Sequence, residues 1–343
     1  MIEVKKRNEK IDFLRGIAAL IVVLFHCLQR FQGHDDNILF NILLSIQIPL
    51  FMSLSGYVNK YSKPVVSVAD YFKHIRKRLL SLLLPWFSWT IIGYVLLSSE
   101  SVIPYIQYIS MHMESAFWFL FSLWMIDLFF YSACFVSTIV KKNAFLKHVV
   151  LLAIFFICLC GLLLIGLKKG ITFLAIKYTL YYSVFYLFGY YYGLLSCISK
   201  WNKYKTIREY ILAIALVLYF ILITKYNLNT MPDSGYYILI RLFISICGTW
   251  VSYELVEKVN VDNTGGRIIK KLGNTTLELY VVHYFIVRIV DVSKYDISNI
   301  AGVAASFVLF VTVLCSTVIL IIILNRSKVL KFILFGKNEN GNI

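Results

Sequence analysis

Arg15-Gly16-Ile17-Ala18-Ala19-Leu20-Ile21-Val22-Val23-Leu24-Phe25-His26 begins and ends on an ionisable side chain and holds nothing polar between them. An α-helix turns about 100° per residue, so eleven steps come to roughly 1100°, three turns plus about 20°. Arg15 and His26 therefore share one helix face, about 16 Å apart along the axis. That separation is around half the thickness of a bilayer's hydrocarbon core, about 30 Å. A charge at such depth costs a few kcal/mol on insertion scales, so intramembrane ionisable groups face a partner, a cavity or a substrate path. The stretch reads as a first membrane helix with a polar line running into it.

The rest of the chain agrees with that reading. Its 343 residues are 59% hydrophobic and only 15% charged, with a mean hydropathy of +0.75, outside the range of soluble domains. Ten apolar spans are expected at 11–31, 38–58, 79–99, 116–138, 148–167, 171–196, 210–224, 236–256, 276–292 and 299–324. The fold class is therefore all-α, a polytopic bundle of about ten transmembrane helices. The basic start Lys5-Lys6-Arg7 runs into the first span without a small-residue cleavage site, so an uncleaved span is expected. One membrane domain over 1–343 is expected, ending in a basic amphipathic tail at 325–343 that rests on the inner surface. The seven cysteines fall within apolar stretches and match no zinc spacing, which argues against a disulfide framework.

The net charge of +16 sets topology. With the N-terminus inside, the inner segments hold 25 Lys or Arg and the outer ones five, so both termini are expected in the cytoplasm. The charge meets anionic lipid at that face and marks no nucleic-acid surface.

Polar residues concentrate in spans one, two, four, six, eight and nine. Spans five, seven and ten are nearly pure Leu, Ile, Val and Phe and read as lipid-facing wall. Asp12 and Arg15, three apart, have the spacing of an ion pair. His26 has the ordinary titration range of a general base near neutrality. In span two Pro49 frees a backbone carbonyl, and Ser53, Ser55 and Gly56 permit close helix approach. Ser55 lacks the preceding glycine of a hydrolase nucleophile motif, so packing is the reading there. The cluster Lys73-His74-Ile75-Arg76-Lys77-Arg78 suits both topology and a phosphorylated cytoplasmic ligand. Glu114 and Trp118 stand at the outer mouth of span four, and Asp127 deeper in it needs a partner, for which Arg241 is the candidate. The tyrosines of span six (Tyr178, Tyr181, Tyr182, Tyr186, Tyr190, Tyr191, Tyr192) read as packing or as a carbohydrate path. In span nine Tyr280 and His283 share a face at i, i+3, and His283 is a second candidate polar group of a site. No motif asks for a metal ion.

Several motifs in order resemble one family: Ile11-Asp12-Phe13-Leu14-Arg15-Gly16 with His26, Pro49 to Tyr57, Arg78 to Pro85, Phe117-Trp118-Phe119-Leu120, and Leu272-Gly273 through Tyr280 to His283. The chain resembles the acyltransferase 3 family of bacterial integral-membrane O-acyltransferases, in its stand-alone sugar O-acetylase form. The resemblance implies transfer of an acetyl or larger acyl group from cytoplasmic acyl-CoA, with acetyl-CoA the expected donor, to a hydroxyl of an envelope glycan or its lipid-linked precursor. It places the chain in the bacterial cytoplasmic membrane. It implies His26 as base or transient acyl carrier, Arg15 as its paired arginine orienting the CoA end, and His283 as a further catalytic residue. Arg15, Arg76, Lys77 and Arg78 are then the expected CoA-binding residues, and Glu114, Trp118 and Tyr280 the expected acceptor-binding residues. One departure stands out: relatives often carry a second arginine where this chain has Ser81, which puts a CoA-phosphate role for an arginine pair there in doubt. The rival class is a transporter or flippase of acyl or glycan units, which usually shows two repeated halves with broken helices. No such repeat is visible in this sequence. A polysaccharide polymerase would call for a long external loop, and the sequence has none.

Overall fold

A computed structural model describes residues 8–97, 102–113, 117–140, 143–196 and 205–338. Those residues form helices and no strand. The helices are α1 (Glu9–Leu28), α2 (Ile38–Asn59), α3 (Val68–Arg78), α4 (Leu84–Leu97), α5 (Val102–Met111), α6 (Trp118–Ser137) and α7 (Ala144–Lys169). They continue as α8 (Ile176–Ser196), α9 (Lys205–Lys225), α10 (Gly235–Lys258), α11 (Thr264–Gly273), α12 (Thr276–Ile289), α13 (Ile300–Leu324) and α14 (Lys328–Phe335). Every one of the ten expected spans is met by a helix. Eight segments among the described residues are long and apolar enough to cross a membrane. Of the other two expected spans, α8 has the length but is dense in tyrosine, and α12 is 14 residues long, about 21 Å. The chain is a multi-pass membrane protein of all-α architecture.

Side chains set the helix starts. Asn8 caps α1 by accepting from the Lys10 and Ile11 amides, and Asn37 caps α2 in the same way through Leu39 and Phe40. Ser67 and Asp70 form a reciprocal capping box on α3. These bonds satisfy amides that have no partner inside the helix. Burial follows the polarity of the spans. In α2, 67% of the spanning window is buried and in α1 56%, but only 22% in α9 and α13 and 28% in α7. The apolar spans are the wall, with Ile214, Val217 and Ile221 of α9 and Val303, Phe307 and Val311 of α13 exposed. The six described cysteines are free.

The chain forms two compact units. The first comprises residues 1–60 and 185–322. Its α1 packs on α2, α10, α11 and α12, over a core that includes Val23, Phe25, Phe31, Phe40, Val287 and Val313. Backbones meet at glycines. A Cβ on Gly273 would lie 1.9 Å from the Asp12 carbonyl oxygen, and one on Gly16 would lie 2.1 Å from that of Ile269. Lys270 ties the same contact through its ion pair with Glu9, whose carboxylate holds the ammonium proton more firmly than usual. Span two behaves as packing: Ser53 is fully buried against the Tyr253 hydroxyl, and Ser55 donates to the Phe51 carbonyl. A Cβ on Gly189 would sit 1.8 Å from the Ser53 carbonyl oxygen. Two span-six tyrosines of this unit are core: Tyr186 is fully buried, and Tyr192 stacks on Tyr253 at 4.6 Å while donating to Glu254. Arg208 closes that carboxylate's ion pair.

The second unit comprises residues 61–184 and 323–343. Between α3 and α4 the backbone widens into a π-helical stretch at Leu79–Leu83. Pro85 has no amide to donate to the Ser81 carbonyl, and the wider turn accommodates that gap. The amphipathic tail finds protein for its apolar face: Leu334 and Phe335 are buried, Trp89 Nε1 donates to the Leu334 carbonyl, and Ser88 donates to that of Ile333. Gly336, at φ +61°, lets the chain turn against the Leu80 carbonyl.

Asp127 is fully buried, and its partner is Arg78, with Nε 3.0 Å from Oδ2. The expected pairing with Arg241 is corrected: Arg241 binds Asp233 and the Met231 carbonyl instead. Spacing along one helix shows that a buried acid needs a cation, but leaves open which helix brings it. Removing one partner of a buried pair costs about 3–5 kcal/mol when the other stays dry. Arg78 keeps 25% of its side chain exposed, so Asp127→Asn is expected to destabilise by about 2 kcal/mol, read as a lower melting temperature of the solubilised protein. An Asp127→Asn protein as stable as wild type would show that the pair contributes nothing.

Candidate active site

His26 lies in the last turn of α1, partly exposed, and His283 lies eight residues into α12, 1% exposed. Their ring centroids are 5.3 Å apart. The packing of α1 against α12 makes the meeting possible, and α11, docked on the first turns of α1 through Gly16 and Gly273, fixes where α12 starts. The two imidazoles are held alike. His26 Nδ1 lies 3.1 Å from Gln29 Oε1, and His283 Nδ1 lies 2.6 Å from the Leu279 carbonyl oxygen. Amide and peptide oxygens only accept, so in the neutral rings both Nδ1 atoms carry the proton and donate it. Both Nε2 atoms are then left with a lone pair, as a base or nucleophile requires. His283 Nε2 is buried with no hydrogen-bond partner among the described residues. An unmet buried lone pair costs free energy, so a substrate proton or electrophile has a place to go.

Around the pair stand aromatic side chains. Tyr280 is 6.3 Å from the His283 ring. Tyr284 presents its ring to His26 at 6.3 Å and 86°, and the Arg288 guanidinium lies 4.3 Å from the Tyr284 ring centre. Arg15 sits partly buried, three turns down the unbroken α1, so the polar line read from the sequence exists as one face of one helix.

Of the expected site residues, the structure brings together His26, His283 and Tyr280. Arg76, Lys77, Arg78 and Trp118 belong to the other unit. There Arg76 and Lys77 are exposed on α3, whereas Arg78 is committed to Asp127. Trp118 stacks on Tyr178 at 4.1 Å and on Tyr182 at 5.4 Å. Glu114 lies outside the described residues. Sequence reasoning assigned no role to Gln29, Tyr284 or Arg288. The signal was present in the spacing, since Tyr284 and Arg288 stand at i, i+4 beside His283. The described residues hold no group of three or more His, Cys, Asp or Glu placed to bind a metal ion.

Comparison with curated proteins and with solved structures finds no match. The sequence does match the acyltransferase domain over residues 8–326, a range that takes in the capped start of α1, the histidine pair and all of α13. With two lone-pair imidazoles meeting inside a multi-pass helical bundle, and that match running over nearly its whole length, the chain belongs to the acyltransferase 3 family of membrane acyltransferases.

Proposed function

We propose that the protein is an O-acetyltransferase of the bacterial cytoplasmic membrane, taking acetyl from cytoplasmic acetyl-CoA and delivering it to a hydroxyl of an envelope polysaccharide or its lipid-linked precursor. The observation that carries this reading is the His26–His283 pair, 5.3 Å apart with both Nε2 atoms available. The excess of Lys and Arg on one side of the spans puts the start of α1 inside and its His26 end outside. Arg15 then marks the donor side of the line and His26 the acceptor side.

The chemistry needs little beyond a base and a route, because a thioester already has a good leaving group. His26 Nε2 takes the proton of the acceptor hydroxyl as its oxygen attacks the thioester carbonyl. The C–S bond then breaks, the CoA sulfur leaves and the proton returns through the imidazole. His283 is placed to stabilise the imidazolium or to relay that proton. In the alternative order the Nε2 lone pair attacks first and holds the acetyl group until the hydroxyl arrives. Exposed Arg76 and Lys77 suit the phosphates of CoA, and Arg15 the thioester end. Arg78, engaged by Asp127, fits that role less directly. Tyr280, beside His283, stands on the acceptor side.

The test supplies labelled acetyl-CoA to the cytoplasmic face of sealed vesicles, with wild type beside His26→Ala. Label is expected on lumenal glycan, or released as acetate, with wild type only. Folded wild-type protein that leaves acetyl-CoA intact beside a suitable acceptor would overturn the donor assignment and favour transport.

A further inference from the structure

We propose that Arg288 reads an anionic group, a carboxylate or a phosphate, on the acceptor, so that the acceptor is an acidic sugar rather than a neutral one. The proposal rests on the acyl-transfer reading and concerns the same site. Three observations carry it.

Arg288 is exposed in the last turn of α12, and no carboxylate pairs with it among the described residues, whereas Arg78, Arg208, Arg241 and Lys270 each have an acidic partner. The nearest acid along the chain, Asp291, turns its carboxylate to the Ser293 amide and hydroxyl, at 3.0 and 2.7 Å. The guanidinium therefore keeps its full charge for something else.

Its direction is the second observation. An arginine at a membrane helix end that serves only to reach lipid phosphate extends outward past that end. Arg288 folds back one turn instead, over Tyr284 at 4.3 Å, and Tyr284 in turn faces His26. The cation thus stands two ring contacts from the imidazole.

The third is preorganisation. Stacking on a tyrosine face fixes the guanidinium plane and contributes cation–π attraction, so less freedom is lost when its N–H fork takes a carboxylate or phosphate in two parallel bonds. A sugar anchored this way by its anion would turn a neighbouring hydroxyl toward His26.

The test measures binding to the full chain in nanodiscs of zwitterionic lipid, by saturation-transfer NMR. The probes are glucuronate, glucose 1-phosphate and methyl glucoside, and the proteins are wild type, Arg288→Gln, Arg288→Lys and His26→Ala, each checked for an unchanged melting temperature. Wild type and His26→Ala are expected to bind at least one anion about tenfold tighter than methyl glucoside. Arg288→Gln should lose that tenfold and bind methyl glucoside as before, with Arg288→Lys in between. A stronger response to glucuronate identifies the anion as a carboxylate, and a stronger response to glucose 1-phosphate as a phosphate. No preference for either anion in wild type, undetectable binding included, overturns the proposal, as does an equal loss for all three probes in Arg288→Gln. Binding needs no turnover, so a failure of acyl transfer itself would appear separately, as intact acetyl-CoA beside an unchanged anion preference.

Discussion

Replacing His26 by alanine is expected to lower acetyl transfer about 10³-fold, some 4 kcal/mol of transition-state stabilisation. The size follows from the loss of a positioned base next to the reacting hydroxyl, and its specificity follows from the geometry. His26 is partly exposed at the end of α1, donates to Gln29 and touches the His283 and Tyr284 rings, so the melting temperature of His26→Ala is measured beside its activity. His283→Ala should also cost activity, and the double variant should lose little more than the worse single, because groups that act as one unit are non-additive. Incubating wild type with labelled acetyl-CoA in the absence of acceptor separates the two roles open to His26. Label held on the protein and released by hydroxylamine marks an acyl carrier, and no label marks a base. A folded His26→Ala protein retaining more than a tenth of wild-type transfer would sink the assignment.

How far the sequence carried this reading depends on what each residue's neighbours along the chain can reveal. Apolar runs placed a helix at each of the ten expected spans, eight of them among the described residues long and apolar enough to cross a membrane, and span composition told wall from core, because both are properties of a single helix. The α9 and α13 windows, nearly pure in Leu, Ile, Val and Phe, are the least buried. Arg15 and His26 could be placed on one face for the same reason. Pairings between helices were out of reach. Asp127 required a cation, and the one expected, Arg241, was the wrong one: the fold brings Arg78 to it. His26 and His283 were both singled out, yet nothing in their positions 257 residues apart along the chain said that the rings would stand at 5.3 Å. Arg288 went unassigned because an arginine near a span's end reads by default as a lipid anchor. Only the direction of its side chain, back over Tyr284, separates that use from another. For the tyrosines of span six, packing and a sugar path were both open, and Tyr186 and Tyr192 take the packing role, buried in the core.

Gly273→Ala is expected to damage the fold severely, and Gly161→Ala shows why. Both put one methyl group on a helical glycine. At Gly161 a Cβ meets nothing within 4 Å, whereas at Gly273 it would lie 1.9 Å from the Asp12 carbonyl oxygen and 3.1 Å from the Gly16 amide nitrogen. A carbonyl within a helix has no rotamer by which to retreat, so α11 must slide away from α1 as a body. That motion opens the Gly16–Ile269 contact and the Lys270–Glu9 ion pair with it. Overpacking that a side chain cannot relieve costs more than the usual 1–3 kcal/mol, and about 4 kcal/mol is expected here. Alanine at Gly161 should instead be neutral or stabilise by about 0.5 kcal/mol, since glycine is the poorer helix former. Melting of the two detergent-solubilised variants, followed by fluorescence size-exclusion, decides the matter. Equal melting temperatures would show that α1 and α11 are not in backbone contact. The same displacement moves the start of α12, and with it His283, away from α1. Whatever Gly273→Ala protein survives should therefore transfer acetyl slowly even where it is folded, although the substitution is about ten residues, three helical turns, from the nearer histidine.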